Sequence, residues 1–212
     1  MEAFVQSAQW KVGAKTEAPG KTMAEHAADD QELLRQLAKG NDAAFNAAYE
    51  RYQGPIYRFV LHMSGNAATA EEVTQEAFMV LIGNPKGYDP AKGSAAGYLF
   101  GIARNLTRRA LEQQRHDVPL SDDPGEEDAL AFASDLDLLE ELSQSEMVDR
   151  LRKAVLTLPE QYRETVVLCE LEEMNYDHAA EILQCSPGTV ASRLNRARAI
   201  LKTKLSCQKC VK

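Results

Sequence analysis

Long apolar runs are missing from this sequence: nowhere does a stretch approach the roughly 18–20 residues that a membrane-spanning helix needs. Between Met1 and Thr16 there is acidic Glu2 and no continuous apolar segment, which is not the pattern of a secretory signal. A cytoplasmic location without membrane insertion is therefore expected. Cysteine is scarce. Cys169, Cys185, Cys207 and Cys210 are the only four, too scattered for a disulfide framework and expected to stay reduced. His26, His62, His116 and His178 are dispersed, and no Gly-rich phosphate loop, nucleophile elbow or carboxylate constellation is visible. These absences argue against an enzyme and against a resident metal or cofactor. Internal repeats and long alternating runs are also lacking, so a sheet is not expected.

A basic excess is missing too, since the formal net charge is -8, but the distribution matters more than the total. Asp117 to Glu146 holds eleven acidic residues and no Lys or Arg; that stretch supplies -11 of the total and leaves +3 elsewhere. Ser186 to the C-terminus holds seven Lys or Arg and no acid. A polyanion responds to the local field, so nucleic acid remains an eligible partner.

What is present is helical periodicity in two blocks. Residues 1–28 are Ala-, Lys- and Glu-rich with Pro19-Gly20 and read as a mobile extension, with Met23 an alternative start just before the patterned sequence. Residues 29–115 form the first helical domain. Leu33, Leu34 and Leu37 make a short stripe that Gly40-Asn41 ends, and Phe45, Tyr49, Tyr52, Ile56, Phe59 and Val60 follow at three- and four-residue steps. Gly54-Pro55 predicts a kink or break there. A third helix from about Thr69 should turn Val73, Ala77, Val80 and Leu81 inward and stop at Gly83-Asn84-Pro85. A fourth, Ala95 to Gln114, should bury Leu99, Ile102, Ala103 and Leu106 and present Arg104, Arg108 and Arg109. Residues 116–145 read as an acidic flexible linker, with a short helix allowed at Asp135–Leu142. Residues 146–206 form the second domain, opening on a stripe of Val148, Leu151, Val155 and Leu158, and residues 207–212 are a tail. The fold class expected is all-α, two small helical domains on a tether.

Asp177 to Leu205 carries the strongest local signal. A short helix with small Ala180 leads to a turn at Cys185-Ser186, where Ser186 is a good N-cap and Pro187 suits the first helical position. Val190 and Leu194 should face inward while Ser192, Arg193, Asn195, Arg196 and Arg198 project outward. That is a helix-turn-helix whose second helix suits major-groove readout: Arg pairs with guanine or holds phosphate, and Asn reads adenine. A helical hairpin with a solvated basic face is the plainer alternative.

Several strings resemble one family, the extracytoplasmic-function (ECF) sigma factors. Pro159-Glu160-Gln161-Tyr162-Arg163-Glu164 with Val166-Val167-Leu168 is similar to the family's LPERQREVVVL segment, and Gly188 to Arg198 to its GTVKSRLHRAR recognition helix. In the first domain, Ala43-Ala44-Phe45 with Tyr49 to Tyr52, Ala70 to Phe78, and Tyr98 to Asn105 resemble the family's opening, AEDLTQEVF and WLYTIARN segments. The resemblance covers roughly 29–115 and 146–205, in order. It implies a non-catalytic factor that binds core RNA polymerase, melts and captures the promoter minus-ten element with its first domain, and reads the minus-thirty-five element as duplex with its second. By the resemblance, Glu71, Glu72, Gln75 and Phe78 contact polymerase. Tyr88 and Lys92, in the loop Asn84–Gly93, contact minus-ten DNA with Asn105, Arg108 and Arg109, the arginines through phosphate. Thr189, Ser192, Arg193 and Arg196 contact minus-thirty-five DNA, Thr189 near a phosphate. Promoter DNA, duplex and melted, core polymerase and an anti-sigma factor are the implied partners.

The departures are informative. Thr69 stands where the family commonly has Asp, so either phosphorylation restores the charge or the change is without consequence. Tyr98 replaces a Trp, and His178-Ala179 a Glu-Ile pair. Cys207-Gln208-Lys209-Cys210 has the spacing of half a zinc or redox site, with no second pair; it is a regulatory candidate or a frayed end. From charge alone, the acidic linker is a candidate mask for the basic recognition helix. The rival function is a helix-turn-helix regulator that acts on DNA without polymerase, which leaves the first domain unexplained.

Overall fold

The computed structural model describes residues 27–117 and 140–207. Eight α-helices and no strand occur among the described residues: α1 Ala27–Ala38, α2 Asp42–Ser64, α3 Ala67–Gly83, α4 Ala95–Asp117, α5 Glu140–Leu156, α6 Glu160–Val166, α7 Tyr176–Leu183 and α8 Pro187–Cys207. A wide, π-helical turn, Val167–Leu171, extends α6. None of these helices is long and apolar enough to cross a membrane. Residues 1–26 of the expected extension, 118–139 of the expected 116–145 linker and those beyond Cys207 lie outside the described residues, and with them the linker's proposed masking role; the two ends of that expected linker belong to α4 and α5.

Side chains set most of the helix starts. Asn41 Oδ1 accepts from the Ala43 N–H at 3.0 Å, Asn66 Oδ1 from Thr69 at 3.1 Å, and Asn175 Oδ1 from His178 at 2.9 Å. Ser186 Oγ accepts from the Thr189 N–H at 3.2 Å, the cap expected for the recognition helix. Each such cap stabilises its helix by about 1 kcal/mol. The Asn66 cap moves the start of α3 back to Ala67. α5 begins at Glu140, six residues before the expected start of the second domain at residue 146.

The break expected at Gly54-Pro55 does not occur: α2 runs unbroken through Pro55. An interior proline costs roughly 3 kcal/mol. Burying one large apolar side chain returns about 1.5–3 kcal/mol, and Ile56, Phe59 and Val60 are all fully enclosed on this helix. Packing therefore outweighs the local penalty. α2 stops instead at Gly65, whose left-handed φ of 72° lets its N–H bond back to the Leu61 carbonyl at 2.8 Å.

The two blocks expected to hang on a tether are packed together. α1 to α4 form one bundle, α5 to α8 another, and a continuous apolar cluster runs through both, from Leu34 and Phe59 to Val167, Leu194 and Ala197. Leu156 of α5 lies where a side chain on Gly65 would be. Three residues expected inside, Val80, Val148 and Leu151, are exposed. Val80 lies at the edge of the buried α3 stripe of Val73, Ala77 and Leu81, and the helix turns it out to solvent.

Polar links cross the same seam. Arg104 and Glu164 form a bidentate pair at 2.6 and 3.1 Å, with side chains 14% and 3% exposed. Arg104 was expected on the outer basic face; the docking of α6 against α4 encloses it instead. Arg163 donates to the Met63 carbonyl at 2.7 Å and to the carbonyls of Leu158 at 3.1 Å and Leu156, so it joins the otherwise unpaired C-terminal ends of α2 and α5. The wide turn ends at Glu172, whose N–H reaches Val167 O at 2.9 Å and whose carboxylate meets Arg58 at 2.8 Å. Burial raises the Glu172 carboxyl above its ordinary range despite Arg58, so this pair fixes the docking position rather than driving it.

Candidate nucleic-acid interface

The helix-turn-helix is α7, a three-residue turn and α8. Gln184 takes a left-handed conformation at φ 53°, and Cys185 N–H closes on the Ala180 carbonyl at 3.0 Å. Ala179 and Ala180 are buried, and their small size lets α8 cross close to α7. Val190 and Leu194 are buried as expected, and Ala197, at the next helical step, is buried with them. On the opposite side Ser192, Asn195 and Arg196 are exposed. Arg193 is half-buried, with Nη1 4.0 Å from Cys185 Sγ, and Thr189 is half-buried with its hydroxyl 2.9 Å from Ser186 Oγ. Arg198 is exposed but paired with Glu170 of the wide turn. Ser192 and Arg196 are therefore the readiest contacts of the expected four.

A second concave surface lies where α4 begins. The loop before it and the first turns of α4 line a cleft of about 350 Å³. Three of the five residues expected at the minus-ten element, Tyr88, Lys92 and Asn105, line it. Tyr88 donates to the Gly93 carbonyl at 3.2 Å and packs on Tyr98, ring centroids 5.6 Å apart, which gives the cleft an aromatic wall. Burial raises both phenols above their ordinary range, so they are neutral hydrogen-bond donors at physiological pH. The other two expected residues sit outside it: Arg109 is exposed, and Arg108 pairs with Glu160 at 2.8 Å. The opposite wall is one the sequence did not suggest. Glu181 and Ile182 come from α7 and Gln184 from the turn that follows it.

The exposed face of α3 is half as expected. Glu71, Glu72 and Gln75 are exposed, but Phe78 is only 3% exposed, packed edge-on against Tyr49 at 4.8 Å and Phe45 at 6.2 Å. Phe78 thus supports this face from beneath and is corrected from a contact residue to a core residue. Met79, 61% exposed, and Ile82, 47% exposed, extend the face instead. Their spacing from Glu71 and Gln75 is helical, and following that period one turn further finds them. Thr69 is 6% exposed and its hydroxyl accepts from Gln114 Nε2 at 2.9 Å. A phosphate there would have to break that α3–α4 link, so Thr69 is not an open modification site in this conformation.

Cys207 closes α8, and Cys210 lies outside the described residues. Burial pushes the half-buried Cys169 thiol up to about 11, which makes it a poor nucleophile. No cluster of three metal-ligating side chains occurs among the described residues.

Comparison with known proteins matches both units. Residues 48–116 fit the family Sigma-70 region 2, and residues 148–201 fit Sigma-70, region 4. The ECF RNA polymerase sigma-E factor of Escherichia coli (strain K12) is 34% identical over 187 residues, covering 83% of this chain and 94% of that protein. The ECF RNA polymerase sigma factor SigW of Bacillus subtilis (strain 168) is 29% identical over 177 residues, covering 81% and 94%. Among solved structures, CnrH in complex with the cytosolic domain of CnrY aligns with a TM-score of 0.63 at 22% identity, over 84% of this chain and 97% of that one. The sigma factor RpoE in complex with the anti-sigma factor NepR, from Bartonella quintana, aligns at 0.58 and 22%, over 79% and 98%. These two structural matches share the fold.

Proposed function

The chain belongs to the extracytoplasmic-function sigma factors of the sigma-70 family, and from that membership we propose how its surfaces divide the work of starting transcription. It binds core RNA polymerase and directs it to promoters, working in the cytoplasm; its part is recognition, and the chemistry belongs to the polymerase. The observation that carries this reading is the pair of matches in the right order, region 2 on α2–α4 and region 4 on α5–α8.

On this proposal the α3 face of Glu71, Glu72, Gln75, Met79 and Ile82 docks on polymerase, its acidic end giving orientation and its apolar end burial. Tyr88, Lys92 and Asn105 receive the melted minus-ten strand: aromatic stacking of a base contributes about 1–3 kcal/mol, comparable with the few kcal/mol that extruding it costs. Arg108 and Arg109 hold phosphate beside them. Ser192 and Arg196, with Arg193 and Thr189 at the margin, read the minus-thirty-five duplex. An anti-sigma factor would act by covering these surfaces.

Two substitutions separate the two functions. Arg196→Ala should weaken holoenzyme binding to a minus-thirty-five duplex by roughly 5- to 150-fold, the equivalent of about 1–3 kcal/mol, and leave affinity for core enzyme unchanged. Ile82→Asp should do the reverse, lowering core affinity at least about tenfold through the desolvation of a charge. Titration of each variant against core enzyme and against duplex checks both. Unchanged promoter binding by Arg196→Ala at matched salt would remove α8 from this role.

A further inference from the structure

Glu181 belongs to α7, the first helix of the minus-thirty-five reader, yet its carboxylate lies in the minus-ten cleft. Oε1 accepts from the Ser94 N–H at 2.5 Å and Oε2 from the Ser94 hydroxyl at 3.0 Å. Ser94 is the residue before α4, and its hydroxyl also accepts from the Gly97 N–H at 2.9 Å. One carboxylate from the second unit is thus tied into the hydrogen bonds that start α4, whose positive end favours it. The approach depends on two residues without side chains. A Cβ on Gly93 or on Gly97 would collide with the Glu181 carboxylate. Ile182 and Gln184 complete the same wall. α8 is not involved: Ser192 and Arg196 remain exposed.

We propose that Glu181 is an interdomain latch: in the chain without polymerase it fastens region 4 across the minus-ten cleft, and single-stranded DNA enters only after it lets go. This rests on the reading of that cleft as the minus-ten surface. The latch masks one DNA-binding surface and leaves the other open, so its release raises apparent affinity for single strands alone. The size of the gain is set by the fraction of chains already open.

The test uses the full chain without polymerase. Amide exchange over residues 93–97 reports the latch, and binding to a randomised single-stranded DNA pool reports access. In Glu181→Gln, exchange should rise and single-strand affinity increase at least about fivefold, while duplex binding is unchanged. Gly93→Ala keeps the charge but pushes a methyl against the carboxylate and nothing else nearby, so exchange should rise there too. In a Glu181→Ala background, the same methyl should add nothing. If exchange is unaltered in every variant, there is no latch, and the minus-ten reading stands. If Glu181→Gln gains DNA affinity but Gly93→Ala exchanges like the wild type, the gain is relief of charge and the latch is overturned. If exchange rises with no gain in single-strand binding, the cleft beneath is not the minus-ten surface, and both readings fall.

Discussion

Replacing Arg104 with alanine is expected to undock the two halves of the molecule. Its guanidinium is the bidentate partner of Glu164, whose side chain is 3% exposed. Without Arg104 the docked arrangement holds a buried, unpaired carboxylate, which costs about 3–5 kcal/mol. The undocked arrangement lets water reach Glu164 and avoids that cost. The docked population should therefore fall roughly 10²- to 5 × 10³-fold relative to the open one. Small-angle scattering should show a larger radius of gyration, and α6 amides should exchange faster. Arg104→Met with Glu164→Leu should restore compactness, because apolar residues of similar volume commonly replace such pairs without loss. An Arg104→Ala chain as compact as the wild type, with α6 equally protected, would show that the apolar seam alone holds the halves together.

The undocked form is the one transcription needs. The minus-ten and minus-thirty-five elements are separated by about 25 base pairs, roughly 85 Å at ~3.4 Å each. A compact chain of this size has a radius of gyration of only about 17 Å. It cannot touch both elements, so the Arg104–Glu164 pair and Glu181 stand in series between the isolated chain and the promoter-bound one. Binding to polymerase must supply the free energy that separates them.

The second large effect lies inside region 2. Phe59 is completely enclosed, edge-on to Phe100 with ring centroids 5.7 Å apart. Phe59→Ala should cost about 3–5 kcal/mol, much of the stability expected for a helical bundle of this size. Chemical denaturation should show that loss directly. Core-polymerase binding should fall with it, since α3 is positioned by the same core. Duplex binding by α8 should survive, because Val190, Leu194 and Ala197 anchor it to the other unit. A loss below about 1 kcal/mol would mean that the site collapses around the missing ring.

The helices were legible in the sequence because their signals are local. Ser186 and Pro187 marked the start of α8, and Val190 and Leu194 marked its inner face, from contacts three or four residues apart. The Gly40-Asn41 stop acted the same way, whereas the Asn66 cap was missed and α3 starts two residues before the expected Thr69. Pro55 misled for a related reason: its penalty is local, whereas the burial of Ile56, Phe59 and Val60 that overrides it comes from other helices. Phe78 and Val80 lay near the boundary of a buried stripe, where one helical turn leaves the side undecided. What the sequence could not show was the seam. Glu164 meets Arg104 across 60 positions, Glu181 meets Ser94 across 87, and Glu172 meets Arg58 across 114. Such pairings have no short-range signature, so the opposite wall of the cleft at the start of α4 appeared only with the fold.

Run-off transcription from genomic promoter fragments, with bacterial core polymerase in the presence and absence of this protein, tests the central assignment most directly. Transcripts from discrete start sites that require the protein, and that fall with Arg196→Ala and with Ile82→Asp, are the expected result. Transcription indifferent to the protein, alongside tight and specific duplex binding by the protein without polymerase, would contradict it and identify a helix-turn-helix regulator instead.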